Sequence, residues 1–127
     1  MNILVPISPG ELLDKITILE IKLARMTDEA KLANVRLELE ALAAVEATLA
    51  TSTALSALRK ALREVNEALW EIEDDIRDCE RAGDFGSRFV ELARAVYHTN
   101  DRRAALKREV NVALGSALVE EKSYAAY

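Results

Sequence analysis

The stretch LSALRKALREVNEALWEIEDDIRDC, residues 55–79, carries apolar side chains at Leu55, Leu58, Leu62, Val65, Leu69, Ile72, Ile76 and Cys79. The steps are three and four residues throughout. That spacing keeps one narrow stripe on one side of a helix and specifies a long helix packed against a partner, as in helical hairpins and coiled coils. Outward from this stretch the chain is poor in Gly (4), Pro (2) and aromatics (5%) and half hydrophobic, a balance that favours helix over sheet. A length of 127 residues suits one cooperative domain. The expected fold is therefore all-α: an antiparallel bundle of about four helices, with a short extended arm over residues 1–9 and a polar tail over residues 116–127.

The helix punctuation gives the boundaries. Pro6 and Pro9 keep the arm extended, and Ser8, Pro9 and Glu11 together read as a capping box that starts a helix running to about Met26. Thr27 and Asp28 offer the next cap, and Leu32, Val35, Leu39, Leu42 and Leu49 carry a second helix to about Ala50. After a Thr-Ser-Thr cluster the third helix spans residues 54–82 and stops at Gly83, where a left-handed residue is expected. The fourth spans residues 87–114, with Phe89, Leu92, Val96, Leu106 and Val110 on its stripe.

Charge and composition exclude several classes. A net charge of -5 gives no broad attraction for phosphate backbones or anionic lipid, so neither nucleic acid nor membrane is an expected partner. No apolar run reaches the length of a membrane helix, and the first residues lack the pattern of a signal peptide. A cytoplasmic location is expected. Cys79 is the only cysteine and falls on the apolar seam, where it serves as a small core residue.

Candidate functional residues lie where the amphipathic pattern breaks. The first helix has its core stripe at Leu12, Ile16, Leu19, Leu23 and Met26, which leaves Ile18 among Glu11, Asp14, Lys15, Lys22 and Arg25 on the polar face. Ile18 is thus either a single exposed apolar residue or part of a contact with a second subunit. Glu20 flanks the stripe, as a rim carboxylate or as an acid paired with a base. Trp70 lies off the seam of the third helix and wants cover, from this chain or from a partner.

Carboxylates are dense from Glu71 to Glu80, but Glu67, Glu71, Asp74 and Asp78 fall on the side away from the seam. They read as a solvated face, and no metal is expected there. In the fourth helix the stripe is interrupted by Tyr97, His98, Thr99, Asn100, Asp101, Arg102 and Arg103. With an antiparallel hairpin, Asn66, Glu73, Tyr97, Asn100 and Asp101 form one polar layer, with Lys107 and Asn111 further along. Such a layer either fixes helix register or binds an anionic ligand, with Arg94, Arg102, Arg103 or Lys107 neutralising a phosphate or carboxylate. Glu73, Arg94, Tyr97, Asn100, Asp101 and Lys107 are accordingly the candidate ligand residues, and Ile18 and Trp70 the candidate interface residues. No catalytic residue and no cofactor is indicated.

The blocks ISPGELLDKITILEIK, LWEIEDDIRDCE, FVELARAVYHTNDRRAALKREVN and SALVEEKSY resemble those of a family of short bacterial proteins known only as a domain of unknown function. The resemblance covers nearly the whole chain except the Ala-rich stretch near residues 45–61, and it implies a bacterial protein of similar fold without assigning an activity. Two weaker likenesses fail on their motifs. All-α nucleotide pyrophosphatases need a second acidic pair that the fourth helix lacks, and chorismate mutases are similar only in the composition of residues 94–107. The leading expectation is a non-enzymatic protein-interaction or assembly module, a homodimer presenting Ile18, Trp70, the arm and the tail. The alternative is a protein or enzyme acting on an anionic metabolite such as a nucleotide, nucleotide sugar or sugar phosphate, with Mg²⁺ as an option.

Overall fold

A computed structural model describes residues 1–127. It has four helices and no strand: α1 (Pro9–Arg25), α2 (Glu29–Glu46), α3 (Thr53–Ala82) and α4 (Ser87–Ala113). The Ser8 hydroxyl accepts from the Glu11 N–H at 3.2 Å with Pro9 in the first turn, and Asp28 and Ser52 cap α2 and α3 in the same way. At the hairpin turn Gly83 has φ +66°, the left-handed value that glycine adopts without a Cβ clash. The expected helix α2 runs shorter than its apolar pattern. Tight i+3 bonds from Thr48 to Val45 and from Leu49 to Glu46 turn the chain inward, which lets Leu49 pack on the core cluster.

The arrangement is centred on α1. It packs against α2 on one side and against the α3–α4 hairpin on the other, and α3 and α4 pack on each other. The main core cluster joins Leu13 of α1 to Leu55, Leu62 and Val65 of α3 and to Leu106 and Val110 of α4. The stripe Leu12, Ile16 and Leu19, buried but outside that cluster, is left for α2, whose Leu32 and Val35 are buried in turn.

Two sequence expectations need correction here. First, α1 is buried over more than half its circumference: Gly10, Leu13, Asp14, Thr17 and Ile21 form a second covered face. Asp14, expected on a solvated face, is 1% exposed. Second, the seam of α3 is fully buried only at Leu55, Leu62, Val65 and Cys79, while Leu58, Leu69, Ile72 and Ile76 are half-buried. Leu58 and Leu69 flank the core cluster; for Ile72 and Ile76 the cause is length. At 1.5 Å per residue α3 extends about 45 Å and α1 about 26 Å, so the far end of the hairpin is two helices with no third to cover them. Cover is lacking elsewhere too. Ile3, Leu4, Val5 and Ile7 of the arm are exposed, Leu4 at 97%, and the arm makes no strand.

Candidate functional site

Where α1, α3 and α4 meet, the apolar core gives way to a closed set of polar groups. The Asp14 carboxylate accepts from Arg103 Nε at 2.8 Å and from Arg103 Nη2 at 2.5 Å, a bidentate pair across α1 and α4. Asn66 Nδ2 on α3 donates to Asp14 Oδ1 and to Thr17 Oγ1, both at 3.0 Å. Thr17 Oγ1 donates in turn to the Asp14 carbonyl, and Asn100 accepts weakly from Arg103 at 3.4 Å. Three helices are thereby fixed in one register, since each contributes a group that the others satisfy. No buried side-chain nitrogen or oxygen is left without a partner. Burial works against the Asp14 charge, but the hydrogen bonds from Arg103 and Asn66, with the charges of Arg103 and Lys107, outweigh it and hold the Asp14 pKa below the usual carboxylate value.

One turn further along α4 a second group forms. Lys107 is 7% exposed, and its Nζ meets Glu11 and Glu120, each at 2.8 Å. Burial lowers its pKa and the bonds to Glu11 and Glu120 raise it, with a net rise. Gly10 lies against this same turn: its N–H donates to Asn111 Oδ1 at 2.7 Å, and a Cβ there would come within 2.4 Å of the Lys107 carbonyl oxygen. Only glycine permits so close an approach of α1 to α4. Glu11 was expected to bond back to its cap; it is drawn to Lys107 instead.

The tail, expected only as a polar segment presented to a partner, runs back along α4 as a strap. Glu120 reaches Lys107, Glu121 meets Arg108 at 3.0 Å, and the Tyr127 hydroxyl donates to Asp101. The Tyr127 ring lies 5.2 Å from Tyr97 and 4.7 Å from His98 between centroids. Strap and helix enclose a cleft of about 680 Å³ bordered by Tyr97, Asn100, Asp101, Lys122, Tyr124 and Tyr127.

The ligand candidates thus divide. Lys107 is in the buried layer, Asn100 borders both layer and cleft, and Tyr97 and Asp101 line the cleft. Glu73 is exposed and paired with Arg77, and Arg94 is exposed with no carboxylate partner. Ile18 and Trp70 are both half-buried within the chain. Sequence reasoning missed Asp14, Thr17, Gly10 and Glu120, although Gly10, Leu13, Asp14, Thr17 and Ile21 do share a helical stripe. Glu20, which could have been a bare rim acid, is bonded by both terminal nitrogens of Arg59 at 3.2 Å, and Arg59 also holds Glu46 of α2. No group of three or more His, Cys, Asp or Glu side chains converges as a metal site.

A family model described as "Family of unknown function (DUF6165)" matches residues 3–127, so both the arm and the strap fall inside it. No curated protein and no solved structure matches the chain.

Proposed function

The chain belongs to that family of unknown function, and from its own surface we propose that it is an assembly module that works as a homodimer, with the arm of one copy packed on the other. The observation that carries this is area. A compact monomer of 14.1 kDa exposes about 6,700 Å², whereas this chain exposes 8591 Å². The excess is larger than the roughly 800 Å² that each partner buries in a stable interface.

The uncovered surface is apolar at both ends of a self-complementary contact. The arm supplies Ile3, Leu4, Val5 and Ile7, and the body supplies Leu37 and Val45 on α2 and Val112 at the end of α4, all exposed. On α2 the positions opposite its buried face, Ala30, Ala33, Leu37, Ala41 and Ala44, are small or apolar and exposed, which allows a neighbouring chain to approach closely. One chain therefore carries both an apolar donor segment and apolar acceptor positions, the requirement for a closed two-fold pairing. No helix is long and apolar enough to cross a bilayer. Light scattering on the purified chain and on the double substitution Leu4→Asp, Val5→Asp tests the reading. The intact chain is expected at twice 14.1 kDa and the variant, folded to the same helicity, at the monomer mass. An intact chain that stays monomeric at all concentrations overturns it.

A further inference from the structure

The strap is held in an unusual way. From Val119 to Tyr127 no backbone N–H or C=O hydrogen-bonds within the protein, and every strap residue from 117 on is exposed. What fastens it is three side chains: the Glu120 carboxylate on Lys107, the Glu121 carboxylate on Arg108, and the Tyr127 ring and hydroxyl on Tyr97, His98 and Asp101. Exposed ion pairs of this kind are individually weak. Of the side chains they meet on α4, Lys107 alone is buried. Lys107 is only 7% exposed and would keep only Glu11 if the strap left, while Arg103 one turn away is held by Asp14; Lys122, on the strap itself, has no carboxylate partner.

We propose that the groove on α4 beneath the strap binds a nucleoside diphosphate, and that in the empty groove Glu120 and Tyr127 of the strap occupy the two end positions of that ligand. The Glu120 carboxylate stands where a terminal phosphate would meet Lys107. The Tyr127 ring stands where a base would stack on Tyr97, and its hydroxyl donates to Asp101 as a ribose hydroxyl would. Lys107 and Tyr97 are ten residues apart on α4, about 15 Å along its axis. A ligand touching both must be elongated, anionic at one end and planar at the other, which a diphosphate linker supplies and a bare phosphate does not. Asn100 borders the middle of the span on α4, and even with the strap in place a cleft of about 680 Å³, within the range of small-molecule sites, stays open there. Stacking on Tyr97 tolerates any base, so the ring type is left open by the geometry.

Calorimetry on the intact chain with ADP, and with inorganic pyrophosphate as the probe lacking a ring, tests this. ADP is expected to bind saturably at one site per chain and pyrophosphate at least about five-fold more weakly, since the ring contributes stacking. Tyr97→Ala, an exposed position that leaves the core intact, brings ADP down to the level of pyrophosphate. Glu120→Gln removes the internal competitor and tightens ADP by about two- to five-fold, the strength of one exposed ion pair. A purely structural strap would show no such gain. Absence of saturable ADP binding up to about 10 mM, ten times the upper end of ordinary substrate constants, in both the intact chain and Glu120→Gln overturns the proposal. So does equal affinity for ADP and pyrophosphate, or unchanged affinity in Glu120→Gln.

Discussion

Removing Arg103 should cost more than removing Asp14, although the two form one ion pair. The Asp14 side chain is 2% exposed and that of Arg103 29%. When Arg103 is replaced by Met, a carboxylate stays in the interior with only Asn66 donating to it; an uncompensated buried charge of this sort costs about 3–5 kcal/mol. When Asp14 is replaced by Leu, the guanidinium can turn toward water, and the loss is closer to that of its charged hydrogen bonds, about 1.5–3 kcal/mol. For a domain of this size the Arg103→Met figure corresponds to a fall in Tm of about 10–20 °C.

The pH response separates the two variants further. In the intact chain the Asp14 pKa is lowered, so its contribution is complete above the unfolded value of about 3.9 and is lost as pH falls below that. In Arg103→Met the buried acid is expected to titrate upward, because desolvation then dominates; the deficit relative to the intact chain shrinks as pH falls from 7 to 5. Urea unfolding followed by circular dichroism at the two pH values, at fixed protein concentration because assembly adds to stability, gives all four numbers. The double variant should cost less than the sum of the singles. Equal and additive losses below about 1 kcal/mol each, independent of pH, would refute the reasoning and make the pair an ordinary surface contact.

Two other outcomes follow from the same layer. Gly10→Ala, a change that stabilises most helices, should here destabilise by about 1–3 kcal/mol, because the new methyl meets the Lys107 carbonyl oxygen at 2.4 Å; thermal melts give the sign. Lys107, with its raised pKa, contributes fully below the unfolded value of about 10.4 and loses that contribution as pH rises above it. Lys107→Gln should therefore flatten the alkaline limb of the stability curve, measured by urea midpoints between pH 9 and 11.

The fold was legible where one face of a helix decides the matter. Residues 55–79 and the glycine at 83 give α3 and its turn because a three-four stripe and a left-handed cap each have one structural meaning. The same stripe did not reveal that α3 outruns α1, since spacing marks where a helix is touched and not how many helices share the contact. Asp14 was misplaced for a related reason. Asp and Thr at 14 and 17 look like solvent positions until Asn66 and Arg103, 52 and 89 residues away in the chain, are known to face them. Lys107 and Asn100 were found because they interrupt an otherwise apolar stripe. Glu73 lies on the same flank of α3 as Asn66 in sequence and was grouped with it, but nothing covers the hairpin at its level. The strap has no periodicity to read: its three anchoring side chains match partners on α4 that only the reversal after Gly115, at φ +63°, brings within reach.

Hydrogen exchange along the arm tests the assembly reading most directly. The amides of Ile3, Leu4, Val5 and Ile7 have no hydrogen-bond partner in a single chain. Packing of the arm on a second copy predicts that they are protected in concentrated protein and become fast on dilution, in step with the fall in mass. Fast exchange at every concentration, with the mass unchanged, would contradict it.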